Sequence, residues 1–191
     1  SAGSNTGTLT NGPTWTTGQI GGALSFNGTT NYVTMGNTNN ITIGNFTIAY
    51  WLNVPNSNQL AGVVAKRLNP SPYNQYESGV GYVSAGGIGT SSKQIFFFGR
   101  DGGNNQSVHT TNNVVDGKWH YVAITRTSSG ILIYIDGFSA SLTVDSAGIT
   151  SENFTNTANF NVGYDSGSSY FPGSVDDLLL YNRPLSAREI M

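Results

Sequence analysis

The chain has no cysteine, few charges and no long apolar run, and each shortage removes a class of explanation. Without cysteine there is neither a disulfide framework nor a thiolate metal site, and the redox compartment stays open. Only 9% of the 191 residues are charged, against about 25% in typical soluble proteins; Gly, Ser, Thr and Asn fill the polar positions instead. Eight Lys or Arg stand against ten Asp or Glu, a net charge of −2. That balance cannot build the basic field that phosphate backbones require, so nucleic acid is not an expected partner. No window approaches the roughly 18 to 20 apolar residues of a membrane span, and the first residues carry no charged-then-apolar leader. A soluble chain without membrane insertion is expected, either processed or excised from a longer one.

What is there is alternation. Apolar residues recur every second position over most of the chain, and turn residues interrupt them every eight to twelve. "ALSFN" (23–27) and "NYVTM" (31–35) flank a Gly-Thr-Thr turn. "FTIAYWLNV" (46–54) puts Phe46, Ile48, Tyr50, Leu52 and Val54 on one face and Trp51 on the other. "GVVAKR", "YESGVGYVS", "QIFFFGR" and "DGKWHYVAITR" read as further strands, as do "NFNVGY" and "GSVDDLLLYNRPL". "ILIYIDGFSASL" reads as a hairpin about the two-residue loop Asp136-Gly137. Helix is confined to one turn at "SAREI", where Ser186 and Glu189 have capping-box spacing. The pattern predicts an all-β chain, a two-sheet antiparallel β-sandwich forming one domain over 1–191. Residues 1–20 and 144–158 read as surface loops or a loosely held terminus.

Five segments, "GALSFNGTTNYV", "FTIAYWLNV", "DGKWHYVAITR", "LIYIDG" and "GSVDDLLLYNRPLSAREI", stand in an order and spacing similar to the laminin-G-like, concanavalin A-like jelly-roll domains of bacterial surface and secreted proteins. The resemblance covers residues 20–190. It implies a jelly-roll sandwich, glycan binding or adhesion, and a calcium ion at the rim. Carried over, the calcium ligands are Asp176 with Asn27, then Asn31 and Asp177. Asn at positions 27 and 31, where Asp is common, lowers the charge of such a site and with it the affinity. The residues alone allow a second reading, in which Asp176 caps loop amides and Asp177 faces water. Such domains also open with a strand that would precede residue 1; it is either clipped or supplied by another segment.

Catalysis finds little support. Carboxylate hydrolases hold two acids about 5 to 9.5 Å apart. Glu77, Glu152 and Glu189 are isolated, and Asp176 and Asp177, as neighbours on a strand, are expected on opposite faces. His109 and His120 lie outside any Gly-x-Ser-x-Gly or His-Glu-x-x-His pattern, and His120 reads as a structural hydrogen-bonder. Sugars need an aromatic platform ringed by amides, hydroxyls or Arg, and the chain carries 3 Trp, 10 Tyr and 9 Phe. Trp51 and Tyr134 fall opposite their apolar neighbours, on a candidate concave face. Tyr76, Tyr82 and Arg100 are expected on the same sheet, and Tyr164, Asp165 and Tyr170 on a rim loop. Trp119, beside Val122 and Ile124, reads as packing. The Asn-x-Ser/Thr triplets at Asn27, Asn40, Asn45, Asn105 and Asn153 accept glycans only in a eukaryotic secretory route.

Together these readings describe a non-catalytic extracellular domain that binds a glycan or glycosylated surface, with other domains or subunits of a larger surface protein as further partners. The alternative is a structural or protein-interaction domain of a pilus, fibre or surface layer. An enzyme of the same superfold stands third.

Overall fold

The computed structural model describes residues 6–37, 44–55, 60–68, 74–84, 87–89, 93–147, 153–167 and 169–191, with backbone alone at 82–84 and 87–89. Asn40, Glu152 and the side chain of Tyr82 lie outside the described residues. In chain order the elements are β1 (Thr8–Thr10), β2 (Thr14–Thr17), β3 (Gly22–Asn27), β4 (Tyr32–Thr34), β5 (Phe46–Asn53), β6 (Ala61–Arg67), β7 (Gln75–Val80), β8 (Tyr82–Ser84), β9 (Gly87–Gly89), β10 (Ile95–Asp101), β11 (Asn104–Thr110), β12 (Trp119–Thr127), β13 (Gly130–Ile135), β14 (Phe138–Ser139), β15 (Leu142–Ser146), β16 (Phe160–Val162), β17 (Pro172–Tyr181) and the helical turn α1 (Ala187–Ile190).

Two antiparallel sheets form a sandwich, one of eight strands in the order β1-β4-β16-β6-β7-β10-β11-β15 and one of seven in the order β14-β13-β12-β5-β17-β3-β2. The period-two pattern of β5 explains why. Phe46, Ile48, Tyr50 and Leu52 are buried against Tyr76, Val80, Ile95 and Phe97 of the opposing sheet, and removing such side chains from water is the main favourable term in folding. Tyr50 keeps its hydroxyl satisfied inside this layer through Ser78 Oγ at 2.7 Å. Arg126 is also fully buried, its guanidinium 4.7 Å from the centre of the Phe154 ring.

The terminal stretches are more ordered than their composition predicts. Within residues 1–20, β1 pairs with β4 and β2 with β3, so each becomes a sheet edge. β15 reaches into the stretch read as loop and pairs with β11, at the other edge of the eight-stranded sheet, while Phe154 is fully buried in the core. Short polar edge segments carry too little alternation to be seen in sequence, because one face and one side of each meet water.

An aromatic cleft on the outer face of the seven-stranded sheet

The face of the seven-stranded sheet that turns away from the core carries two adjoining features. Ala49, Ala123 and Tyr134 form a small apolar patch covered by Leu185 and by Ile190 of α1. Glu189 Oε2 accepts both the backbone N–H and the hydroxyl of Ser186 at 2.9 Å, which closes the expected cap of this turn. Beside α1 a cleft of about 440 Å³ opens over Trp51, Tyr121, Phe138, Asp136, Asp177 and Leu179.

Each wall follows from local sequence. Trp51 and Tyr121 are register partners on β5 and β12, so their side chains emerge on the same face, and the rings meet at 5.2 Å with a 46° tilt. Asp136 and Gly137, at φ 53° and 85°, make the tight turn between β13 and β14 that an Asp-Gly pair favours. That turn holds Phe138 at the rim, 78% exposed. Asp136 Oδ1 accepts the Tyr121 N–H at 2.9 Å, and Asp136 Oδ2 lies 2.8 Å from His120 Nδ1. The other ring nitrogen of His120 meets Asp116 at 3.1 Å, the structural role read from the sequence. Burial pushes the Tyr121 hydroxyl above its ordinary value, and neighbouring Tyr181 and Asp177 add to the shift.

The aspartate doublet departs from simple alternation. Asp176 pairs with Trp51, but the next partner pair is Leu179 with Ala49, so Asp177 and Leu178 together oppose Tyr50. This is a β-bulge. Asp177 takes φ 44° and turns outward to exposure, while Leu178 packs against the core. Both carboxylates therefore leave the core side, correcting the expectation that they face opposite ways. The reason is that a regular register would bury a carboxylate and expose a leucine. Asp176 is 5% exposed; its Oδ2 accepts the Ile20 N–H and its Oδ1 the Asp177 N–H, both at 2.9 Å. A Cβ at Gly18 would run into that carboxylate, so glycine is required where the 18–21 turn seats on it. No donor among the described residues pairs with the Asp177 carboxylate.

The four residues implied as calcium ligands do not come together. Asn27 lies opposite Pro172 and Asp176 lies four residues further along β17, about 13 Å away at about 3.3 Å per residue. Asn27 Oδ1 is spent on the N–H groups of Thr29, Thr30 and Asn31, and Asn31 Oδ1 accepts the Asn27 N–H. Among the described residues no group of three or more His, Asp or Glu is placed to hold a metal. This donor set does not fit calcium, which needs six to eight converging oxygens.

The remaining candidates scatter. Tyr76 and Arg100 belong to β7 and β10 of the eight-stranded sheet, so they do not share a sheet with Trp51 and Tyr134. Tyr76 is fully buried between the sheets, its ring 6.3 Å from Phe160, because β7 turns Tyr76, Ser78 and Val80 inward. Tyr134 is 8% exposed beneath α1, since the alanines beside it leave a patch that the helix must cover. Arg100 Nε donates to the Gly102 carbonyl at 3.0 Å. Tyr164 and Tyr170 stack on each other at 4.5 Å and 17°, with Tyr32 5.2 Å from Tyr164. Asp165 is buried and organises that loop, accepting the Gly167 and Ser169 N–H groups at 2.7 and 2.9 Å. Trp119 pairs with Asn53 and shares the outward face with Tyr121, opposite to Val122 and Ile124. Tyr121, Asp136 and Phe138 are not among the candidate site residues read from the sequence. Their signal was the parity of Tyr121 against Val122 and Ile124, and the turn that fixes Asp136 and Phe138.

A second groove, of about 370 Å³, opens between the two sheets at the edge formed by β1 and β2, lined by Leu9, Trp15, Leu24, Met35 and Asp177 among others. Trp15 is 70% exposed.

A family model described as the concanavalin A-like lectin/glucanases superfamily matches residues 27–191. The chain belongs to this superfamily. No curated protein sequence matches it. Among solved structures it is similar to domain 4 of AbnA, a GH43 extracellular arabinanase from Geobacillus stearothermophilus, in complex with arabinotriose; identity is 15%, TM-score 0.72, and the match covers 96% of this chain and 85% of that one. It is also similar to the botulinum neurotoxin type C structure whose subject is an interaction with two ganglioside molecules, at 14% identity and TM-score 0.65 over 97% of this chain and 45% of that one. Mouse laminin alpha1 domains LG4-5 match at 11% identity and TM-score 0.55 over 86% and 41%. At such identities the superfamily likeness concerns the fold, and function has to be argued from the cleft.

Proposed function

We propose that the chain is a non-catalytic, extracellular carbohydrate-binding domain, and that the sugar docks in the cleft over Trp51 and Tyr121. The observation that carries this reading is the pairing of two contacting aromatic side chains with carboxylate acceptors in one open concavity. A pyranose or furanose ring offers an apolar C–H face to such a platform and hydroxyls to the acceptors around it. The non-catalytic part rests on the state of Asp136, which leaves Asp177 in the cleft without a second free acid among the described residues to complete an acid–base pair. Both oxygens of Asp136 are engaged by Tyr121 and His120, so the group is poorly placed to exchange a proton with a glycosidic oxygen. A Gly-, Ser-, Thr- and Asn-rich, charge-poor composition supports an extracellular location. Among the described residues no helix is long and apolar enough to cross a membrane.

The test is a glycan array followed by titration of the hits, including arabino-oligosaccharides because the AbnA domain was solved with arabinotriose. Trp51→Ala is expected to weaken binding about tenfold or more, the scale of a lost aromatic platform, with an unchanged melting profile. A second reading is favoured by the exposed apolar side chains at the cleft rim, Ile20 at 61%, Phe138 at 78% and Met191 at 83%. Patches of that kind also serve protein contacts. Silence across all glycans together with concentration-dependent assembly would establish that reading instead.

A further inference from the structure

We infer that the cleft selects sugars carrying a protonated amine over neutral or acidic ones, with Asp177 as the residue that reads the ammonium. The inference rests on the carbohydrate-binding reading and deepens it. Its first support is the sign of the field. Asp136 and Asp177 line the cleft, and among the described residues no Lys, Arg or His lines it; His120, beside Asp136, is shared with Asp116. The faces of Trp51, Tyr121 and Phe138 carry the negative end of the aromatic quadrupole, so the rings and the carboxylates favour the same charge. A uronate or sialate entering here meets two carboxylates without a compensating cation.

The second support is the state of Asp177. Asp136 is already held by a backbone N–H and by His120, whereas no donor among the described residues engages Asp177. Its carboxylate lies close enough to Tyr121 to raise the hydroxyl of that residue. Apolar Leu179 and Phe138 flank the same opening, and exclusion of water by such neighbours strengthens a charge-assisted hydrogen bond. The third support is the backbone. Asp177 sits in a bulge at φ 44°, a conformation that Asp adopts more readily than most residues, and the bulge re-aims its side chain away from the regular strand direction. Asp176, one residue earlier, already caps the Ile20 amide; capping therefore gives no reason for the second acid. An ammonium between the Asp177 carboxylate and the Trp51–Tyr121 surface engages the acid and the rings together.

Three trisaccharides test the inference at one pH near 6 and low salt: fully deacetylated glucosamine, N-acetylglucosamine and galacturonate. The glucosamine trimer is expected to bind about tenfold more tightly than the acetylated one, the scale of one cation–π contact plus one charge-assisted hydrogen bond, and the galacturonate trimer more weakly than either. Asp177→Asn, which tolerates positive φ and so keeps the bulge, is expected to erase the preference, bringing the ratio of glucosamine-trimer to acetylated-trimer affinity within the variant close to one. Equal binding of the two glucosamine forms, or a preference that survives in Asp177→Asn, overturns the inference and leaves the carbohydrate reading standing. Absence of binding by every sugar on the array, with Trp51→Ala indistinguishable from the parent, overturns both.

Discussion

Asp176 and Asp177 are adjacent in sequence and differ in every physical respect. One is buried with both oxygens accepting backbone N–H groups; the other is exposed with no partner among the described residues. Asp176→Ala leaves the Ile20 and Asp177 amides without their acceptor, and a loss of about 1–3 kcal/mol in unfolding free energy is expected. Because backbone amides take both oxygens of this carboxylate and Asn27 lies well away along β17, the thermal transition of the parent is expected to be unmoved by a chelator, and the Asp176→Ala loss to be the same with and without calcium. A chelator-induced drop in Tm, absent in Asp176→Ala, would show instead that an ion uses this carboxylate. Glu77 poses a different residue-scale problem. Burial pushes its carboxyl up to about 8; nearby Asp165 adds to the rise and Arg67 opposes it. In the unfolded chain it titrates near 4.5, so between those values the folded state binds more protons. The stabilisation is fully present below pH 4.5 and is lost as pH rises through about 8. Denaturant unfolding from pH 5 to 9 is expected to show that decline between pH 5 and about 8 with a levelling above it, and Glu77→Gln to flatten it. A Glu77→Gln profile that follows the parent over this range would remove Glu77 as the cause.

At the scale of the element, the strands that cross the core were legible and the devices that shape the surface were not. The period of two in "FTIAYWLNV" fixed the inward face of β5 and placed Trp51 outside, because a regular strand has only two faces to assign. The Asp136-Gly137 turn and the Ser186–Glu189 cap were legible for the same local reason, each being a short motif whose geometry needs those residue types. The bulge in β17 was hidden, since "VDDLLL" alternates equally well in two registers. Only the need to bring Leu178 to the core and keep Asp177 from it selects the bulged one. Tyr134 was misplaced because strand parity says which face a side chain takes and nothing of what lies over it; α1, more than fifty residues away in sequence, covers it. Tyr76 failed by sheet assignment. The expectation that β7 and β10 join β5 required knowing which strands pair, information that resides in long-range contacts and not in any one segment. The implied calcium ligands do not assemble for a related reason: β3 and β17 are neighbours, but the register sets Asn27 and Asp176 apart.

For the whole molecule, the scarcity of charge turns from a negative observation into a usable one. With 9% charged residues and a net charge of −2, the long-range field is weak and offers little steering to a charged ligand. Any salt dependence of binding must then arise from charges in or beside the cleft, and Asp177 is the acid there with no partner among the described residues. Screening at about 0.1 M ionic strength has a length near 10 Å, and Asp177 is exposed, so moderate salt reaches this carboxylate. Raising salt from about 0.05 to 0.5 M is therefore expected to weaken glucosamine-trimer binding severalfold and to leave the N-acetylated trimer nearly unchanged. The slope should fall toward zero in Asp177→Asn. A salt slope shared by both sugars, or preserved in Asp177→Asn, would place the relevant charges elsewhere on the surface.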